Sequence, residues 1–368
     1  MMADNIKYQF FQDYGFSDEL KARMHKNTPD LIELINRGLI VNHRDFDKIM
    51  DCVENGKEIY IYTGRGPSSS SLHFGHYLPF FITQKLQQIL GAKVVIQITD
   101  DEKYLYAKNE KTPNTLSYYT KLADDNIKDI IAFGFDPSKT FIFKNTEFMG
   151  NLYSVDLQIK RFFTINQIKH SFGITDSDNV GKLSYPSIQM VPCVPSVFDG
   201  FIGKDAQCLI PCADDQEVYF RLARDILNKM KVKKPSMVFV GYVPSIQTIE
   251  EKMSSSKPDT AIFLNDSNKQ IRKQINKAFS GGRDTIEEHR EKGAQCKVDV
   301  PLNILKYFID TVEFNKIKEL YGSGEYLSSQ VKNIVIDKLI EIKDRFASTR
   351  NIPKYTTHEF TSLHKTSK

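Results

Sequence analysis

The sequence predicts an α/β protein in which a Rossmann-like parallel sheet is followed by an α-helical C-terminal region. Two continuous apolar runs, 93–99 and 206–211, are typical of buried parallel strands, and each lies beside a helical pattern. After about residue 261 the chain becomes rich in helical patterns and stays so. The length of 368 residues is enough for two or three domains, each with its own core.

The composition indicates which broad class of protein the chain belongs to and in which compartment we expect it. Hydrophobic residues make up 40% and charged residues 26% of the chain, which indicates a globular protein and excludes disordered and fibrous classes. No apolar run approaches the ~20 residues that span a bilayer, and the first residues lack a signal-peptide pattern. Five cysteines, an odd count, indicate a reducing compartment, so we expect a cytoplasmic protein. A net charge of +4 permits a nucleic-acid partner without requiring one.

The first hundred residues predict helices followed by a strand–helix–strand unit. Residues 1–56 form helical, polar patterns and predict an N-terminal helical appendage. A β-type alternation at 58–62 then runs into turn residues, followed by a helical stretch that Gly91 ends. With the run at 93–99, this gives strand, helix, strand, which is the first unit of a parallel sheet.

A second strand–helix–strand unit lies at 206–240. The segment between the two units, about 104–205, is too long for an ordinary crossover and predicts an insertion. We therefore expect a Rossmann-like catalytic domain at 57–260 and an α-helical domain at 261–368.

Two segments have the composition of ligand-binding loops. The first, Gly64 to His76, combines glycines that let backbone approach a phosphate with Arg65 and with two histidines three residues apart. A metal site is not expected there, because the acidic residue of a zinc motif is missing and no cysteine is near. The second segment, Lys252-Met-Ser-Ser-Ser256, is suited to holding a pyrophosphate on a mobile loop.

Together these segments resemble the HIGH and KMSKS signatures of class I aminoacyl-tRNA synthetases. Longer strings are similar to those of eukaryotic and archaeal tryptophanyl-tRNA synthetases, and the resemblance extends over nearly the whole chain from about residue 30. These strings are Tyr62-Thr-Gly-Arg-Gly-Pro-Ser-Ser69, Gln97-Ile-Thr-Asp-Asp-Glu-Lys103, Ile210-Pro-Cys-Ala-Asp-Asp-Gln216 and Phe279-Ser-Gly-Gly-Arg-Asp-Thr-Ile-Glu-Glu-His-Arg290.

Two alternatives compete with this interpretation. Tyrosyl-tRNA synthetases have the same fold, but their tyrosine pocket typically has an aspartate three residues after a glutamine. Here Pro192 stands three residues after Gln189, and proline offers no acceptor for a phenol. The second alternative is a synthetase-like protein that binds RNA without catalysis, and the intact His73, His76 and Lys252 argue against it.

The resemblance implies a role for each matched residue. Tyr62 and Gln216 would meet the indole nitrogen of L-tryptophan, while Gln97, Glu102 and Gln189 would serve its amino and carboxylate groups. Cys212 and Phe220 would line the same slot. ATP would be bound through Thr63, Gly64, Arg65, Gly75 and Met253. The catalytic group would comprise His73, His76, Lys103, Lys252, Ser254 and Ser256.

The resemblance also implies the partners. Mg²⁺ would bind through the ATP phosphates, and because Ser255 replaces the second lysine of KMSKS, Lys103 or Lys257 would supply the missing charge. Arg283 and Asp284 would contact the anticodon of tRNA(Trp), which makes 261–368 an anticodon-binding domain. Asp284 could equally be a helix N-cap, and His289 is expected to be structural or exposed. The family also implies a homodimer.

Overall fold

The computed structural model of the chain describes residues 15–107, 113–254, 257–350 and 354–362. The strands are β1 (Ile40–Arg44), β2 (Ile59–Arg65), β3 (Lys93–Ile98), β4 (Thr140–Lys144), β5 (Gln207–Cys212) and β6 (Ser236–Val240). The helices before β5 are α1 (Asp18–Asn27), α2 (Pro29–Asn36), α3 (Phe46–Glu54), α4 (Phe74–Leu90), α5 (Asp100–Leu105), α6 (Leu116–Ile131), α7 (Asn145–Lys160), α8 (Ile165–Phe172) and α9 (Val180–Met190). Those after β5 are α10 (Glu217–Lys229), α11 (Asn268–Lys277), α12 (Ile286–Lys292), α13 (Val300–Leu305), α14 (Thr311–Gly322), α15 (Ser328–Arg350) and α16 (Lys354–Thr361).

The six strands form one mixed sheet in the order β1-β6-β5-β2-β3-β4. All neighbours are parallel except β1 and β6, which pair antiparallel. The strand order reverses beside β2, which has β3 and β4 on one side and the next strand of the chain, β5, on the other. Ligands bind at such a reversal, beyond the carboxyl ends of the strands. The predicted fold class, a parallel-sheet unit with helices after it, is confirmed.

Alternate residues of the central strands enter two separate cores. On one face of β2, Ile59 and Ile61 pack in a core shared with α4 and the C-terminal helices. On the other face, Tyr60 and Tyr62 pack with residues of α7 and β5. Because both faces are covered, the strands are apolar along their whole length, which explains the continuous runs in the sequence.

The N-terminal segment differs from the expectation of helices alone. Its residues Ile40–Arg44 form the edge strand β1, in which Ile40 and Asn42 are buried and Val41 is 54% exposed. Three of these five residues are polar, so the strand had no apolar pattern to reveal it. The predicted insertion also contributes to the sheet, because its run Phe141-Ile-Phe143 lies in β4. The domain boundaries themselves stay predictions.

None of the helices in the described part of the chain is both long and apolar enough to cross a membrane. All five cysteines are free thiols, four of them buried.

Candidate active site

A cavity of about 350 Å³ opens at the carboxyl ends of β2, β3 and β5. Sixteen of the residues predicted for tryptophan, ATP or catalysis line it, and they come from both motif segments and from all three strand ends. They are Tyr62, Thr63, Gly64, Arg65, His73, Gly75, His76, Gln97, Glu102, Lys103, Gln189, Cys212, Gln216, Phe220, Lys252 and Met253. The sheet therefore brings together residues that lie up to 191 positions apart in the sequence, from Tyr62 to Met253.

His73 and His76 stack on each other at the start of α4, with ring centroids 3.5 Å apart. Burial, followed by the charge of Arg65, lowers the pKa of His73 to about 3 and that of His76 well below its ordinary value. Arg65 lies 2.8 Å from His76 Nε2. Because a guanidinium can only donate, that ring nitrogen accepts. Both imidazoles are therefore neutral at pH 7 and can donate or accept hydrogen bonds.

Among the residues that the structure describes, three buried nitrogen atoms at this end of the cavity have no hydrogen-bond partner. They are Nδ1 and Nε2 of His73 and one terminal nitrogen of Arg65. Burying such atoms without a partner costs about 1–3 kcal/mol each, so their arrangement indicates that a polar ligand supplies the partners. Burial lowers the pKa of Arg65 to about 10, which leaves it charged at pH 7 and suited to an anion.

The second motif reaches the cavity from the loop after β6. Lys252 Nζ lies 2.6 Å from Asp215 Oδ2, and both side chains are about half exposed. The backbone of Ser254 donates to Thr260 Oγ1 at 3.3 Å, and Ser254 itself is not among the lining residues. Ser256 lies outside the described residues. Lys103, which also lines the cavity, is paired with Glu102, with Nζ and Oε1 3.2 Å apart.

The hydrogen bonds around Tyr62 pair the predicted tryptophan residues differently from the predicted division, which stays a prediction. The Tyr62 hydroxyl lies 2.5 Å from Gln97 Oε1, whereas Gln216 Oε1 accepts from Gln189 Nε2 at 2.8 Å. Tyr62 and Gln97 meet because they lie on one face of adjacent parallel strands, where Tyr62 pairs with Val95. Tyr62 and Gln97 therefore form one polar pair, and Gln189 and Gln216 form another.

Aromatic and small apolar side chains enclose the Tyr62 end. Phe220 meets the Tyr62 ring edge-on, with centroids 5.8 Å apart, and Cys212 lines the cavity nearby. Burial raises the pKa of the Cys212 thiol well above its ordinary value, so the thiol is neutral and acts as a small apolar group. A flat aromatic ligand with one polar edge fits such a slot.

Several lining residues were not predicted as site residues. Asp215 lies within the string Ile210–Gln216, but nothing in the sequence indicated that it would pair with Lys252. Tyr185 lies four residues before Gln189 and also lines the cavity. Tyr219 and Tyr242 also line the cavity. Tyr219 follows Gln216 on the next helical turn, and no sequence signal marked either tyrosine.

Arg283 and Asp284 do not line the cavity and lie before α12. Arg283 Nε donates to the carbonyl of Gly293 at 2.9 Å, and Asp284 is exposed. The N-cap alternative for Asp284 is wrong, because the N-cap of α12 is Thr285, whose side chain accepts from the backbone of Glu288. His289 is buried and lies 2.8 Å from the carbonyl of Tyr326, so it is structural, as one of the two expectations had it.

The described residues contain no group of three or more histidine, cysteine, aspartate or glutamate side chains that could hold a metal ion. The carboxylates of Glu102 and Asp215 in the cavity are each paired with a lysine. The side chains present therefore form no metal site of their own.

Comparison with known proteins gives a consistent result. Residues 54–342 match the family model described as class I tRNA synthetases for tryptophan and tyrosine. The cytoplasmic tryptophan–tRNA ligase of Rattus norvegicus is 42% identical over 334 residues, which cover 89% of this chain and 68% of that protein.

Two solved structures are similar over almost the entire chain. The tryptophanyl-tRNA synthetase of Plasmodium falciparum is 39% identical with a TM-score of 0.88, and the match covers 97% of this chain and 95% of that one. A tryptophanyl-tRNA synthetase from Encephalitozoon cuniculi, solved bound to tryptophan, is 35% identical with a TM-score of 0.89. That match covers 100% of this chain and 99% of the other.

Proposed function

Since the chain belongs to the class I tRNA synthetases of the tryptophan and tyrosine type, we propose that it is a tryptophan–tRNA ligase. It activates L-tryptophan with ATP to tryptophanyl-adenylate and pyrophosphate, and then transfers tryptophan to tRNA(Trp). The observation on which this proposal depends is that one cavity joins both motif segments to a slot lined by Tyr62, Gln97 and Phe220.

The first step needs positioning and charge more than an enzyme nucleophile. A carboxylate oxygen of tryptophan attacks the α-phosphorus of ATP, the bond from that phosphorus to the bridging oxygen breaks, and pyrophosphate leaves. We assign His73 and Arg65 to the ATP phosphates and ribose, because their buried nitrogens without a partner among the described residues need polar partners. His76 is assigned with them because its ring stacks on that of His73. Lys252 and Lys103 both line the cavity and would neutralise the leaving pyrophosphate.

The second step uses the same cavity. A hydroxyl of the terminal ribose of tRNA attacks the acyl carbon of the adenylate, and the bond to the AMP phosphate breaks. Because their pKa values are lowered, the imidazoles of His73 and His76 are uncharged. Uncharged imidazoles suit hydrogen bonding to ribose and phosphate rather than ion pairing.

The hydrogen-bond pairing supports a revised assignment within the tryptophan slot. An indole offers one N–H donor and therefore needs an acceptor, which the Tyr62 and Gln97 oxygens provide. The carboxylate of Glu102 and the amides of Gln189 and Gln216 would then meet the ammonium and carboxylate groups. In this assignment Cys212 and Phe220 cover the faces of the ring.

Magnesium would accompany ATP rather than bind to the enzyme directly. The cavity side chains are imidazoles, cations and lysine-paired carboxylates, which do not make a divalent-ion site. When bound to the phosphate oxygens, Mg²⁺ would reduce their negative charge.

A homodimer is supported by exposed apolar side chains near the middle of the chain. Tyr153 and Leu157, one helical turn apart on α7, are 55% and 49% exposed. Ile165 at the start of α8 is 65% exposed. Such neighbouring apolar groups favour an interface with a second copy. Sedimentation should show a dimer that Leu157→Asp converts to monomer, and a monomeric wild type would refute this.

Contact with the anticodon is assigned to the exposed Asp284, with Arg283 beside it. The relative from Rattus norvegicus is named as cytoplasmic, and we propose the same location for this chain.

The test of the function is amino-acid-dependent ATP–pyrophosphate exchange with Mg²⁺ present and tRNA absent. Exchange with tryptophan but not tyrosine is expected, because Pro192 offers no side-chain acceptor and its carbonyl already accepts from Tyr60 at 3.0 Å. Exchange with tyrosine alone would point to a tyrosine–tRNA ligase. Failure with both amino acids would favour an RNA-binding protein without this catalysis.

A further inference from the structure

A continuous chain of hydrogen bonds leads from the cavity to the start of α5. The Tyr62 hydroxyl donates toward Gln97 Oε1 at 2.5 Å, and Gln97 Nε2 donates to Asn145 Oδ1 at 2.8 Å. Asn145 Nδ2 in turn donates to Asp101 Oδ1 at 2.8 Å. Gln97 and Asn145 have no exposed surface, so their amides depend entirely on protein partners or a ligand.

The direction of this chain follows from its far end. An ionised carboxylate can only accept hydrogen bonds, and Asp101 Oδ1 already accepts from the backbone N–H of Glu102 at 2.8 Å. Burial raises the pKa of Asp101 to about 6, against the hydrogen bonds from Asn145 and Glu102, which leaves the carboxylate ionised at neutral pH. Asn145 must therefore turn its NH₂ group to Asp101 and its oxygen to Gln97.

The orientation of Gln97 then follows in the same way. Facing the oxygen of Asn145, Gln97 must present its NH₂ group there and its oxygen to Tyr62. The carbonyl of Ile188, 3.4 Å from Gln97 Nε2, favours the same orientation more weakly. A reversed Gln97 amide would place its oxygen against Asn145 Oδ1 and against the carbonyl oxygen of Ile188.

This orientation decides what the cavity offers a ligand. The single proton of the Tyr62 hydroxyl faces two acceptors, Gln97 Oε1 and the carbonyl of Gln189 at 2.7 Å. It can satisfy only one of them fully, so this end of the cavity has surplus acceptors and suits a ligand N–H group. If Gln97 were reversed, its NH₂ group would occupy the Tyr62 oxygen and oppose such a donor.

We propose that Asn145 and Asp101 are positioning residues that hold the Gln97 amide oxygen toward the tryptophan slot, so that the slot selects a ring bearing an N–H donor. This inference rests on the proposed function, because the N–H donor is the indole of tryptophan. Neither residue lines the cavity. They act through Gln97, and the effect is on selection of the amino acid.

The test compares tryptophan with its benzothiophene analogue, L-β-(3-benzothienyl)alanine, in which sulfur replaces the indole N–H. The ratio of kcat/KM for the two amino acids is measured by ATP–pyrophosphate exchange for the wild type and for Asn145→Leu. Leucine has a similar shape but cannot accept from Gln97. We expect the ratio to fall about fivefold or more, the equivalent of one buried hydrogen bond.

A purely structural role for Asn145 would not move this ratio, because lost folded enzyme lowers both rates equally. Gln87→Leu is the matched control. Gln87 is also a buried amide, bridging Asp136 N and Thr140 Oγ1, but it lies outside the cavity lining, and its loss should leave the ratio unchanged.

If Asn145→Leu does not fold, Asn145→Ala removes the same acceptor with less steric change, and the same fall is expected. An unchanged ratio in the folded variant would overturn the inference while leaving the proposed function intact. Lack of tryptophan-dependent exchange in the wild type would instead refute the proposed function.

Discussion

Lys252 forms an ion pair with Asp215, with Nζ and Oδ2 2.6 Å apart. The pair joins the loop after β6 to the segment after β5 across the mouth of the cavity. Because both groups are about half exposed, the pair is weakened by solvent and is worth no more than about 1 kcal/mol. Lys252 can therefore exchange Asp215 for a pyrophosphate group at little energetic cost.

Lys252→Ala should lower the rate of adenylate formation by about 100-fold, because a cation that stabilises the leaving pyrophosphate is lost. Tryptophan affinity should change by less than about twofold, since no tryptophan contact is removed. The chain contains no tryptophan, so the fluorescence of the bound amino acid measures affinity without protein background. Lys338→Ala, which breaks a comparable surface pair with Glu341, is the control. Equal losses of rate and affinity would contradict the role of Lys252.

Gly66→Ala tests the role of Lys103 without removing it. A Cβ atom at position 66 would lie 2.2 Å from Lys103 Cε and 2.8 Å from Glu102 Oε2, so both side chains must move. Both side chains are flexible, so stability should change little, while kcat/KM for ATP should fall about tenfold if Lys103 contacts the phosphates. Gly150→Ala, where nothing lies within 4 Å, is the control. Normal ATP kinetics in Gly66→Ala would show that Lys103 does not contact the ATP phosphates.

The neutral state of His73 predicts a pH dependence of stability. Its pKa is about 3 when folded, against an ordinary value of 6.5, so the folded protein binds fewer protons between these values. Stability is therefore lost as the pH falls below about 6.5. Relative to His73→Asn, the wild type should lose about 2 kcal/mol of unfolding free energy between pH 7.5 and pH 5. Urea unfolding at the two pH values measures this difference, and parallel behaviour of the two proteins would show that His73 is not held neutral.

The sequence predicted β3 and β5 from continuous apolar runs, β2 from a β-type alternation, and β6 as the end of the second strand–helix–strand unit; all of these are local signals. It also predicted most of the cavity lining, since functional residues follow the carboxyl ends of such strands. The edge strand β1 was missed because its pairing with β6 joins residues about 200 positions apart and its own pattern is half polar.

Contacts between distant segments account for the remaining differences. In the sequence, Asn145 is an ordinary polar residue at a helix start. Only the pairing of β3 with β4 places it beside Gln97. The pairing of Asp215 with Lys252 likewise depends on how two loops fold over the sheet. The alternative that made Asp284 the N-cap of α12 was wrong by one residue, because aspartate and threonine are both good caps and stand side by side.

Arg350, at the end of α15, holds the loop that precedes His73. Its Nε lies 2.8 Å from Asp129 Oδ1, and it also donates to the carbonyl of Ser70 at 2.7 Å. Asp129 is 3% exposed and also accepts from the backbone of Leu72. Arg350→Gln would leave this buried carboxylate without its cation and should lower the unfolding free energy by about 2–3 kcal/mol.

Arg345→Gln is the control for this change. Arg345 donates to the neutral hydroxyl of Tyr77 at 3.1 Å, so its loss leaves no buried charge and should lower stability by about 1 kcal/mol or less. Chemical denaturation of the three proteins measures both effects. Equal, small losses of unfolding free energy in both variants would mean that water solvates the Asp129 carboxylate when Arg350 is absent.

The exposed position of Asp284 makes it the clearest test of the anticodon assignment. Thr285 caps α12, so replacing Asp284 removes no cap bond and should leave stability unchanged. Asp284→Ala should lower the rate of tRNA charging by about 10-fold or more, since the loss of one good base contact is worth about 1–3 kcal/mol. Adenylate formation without tRNA should be unaffected, because Asp284 does not line the cavity. Asp337→Ala, which removes another exposed carboxylate of the helical region, should charge tRNA normally. A normal charging rate for Asp284→Ala would exclude this residue from anticodon recognition.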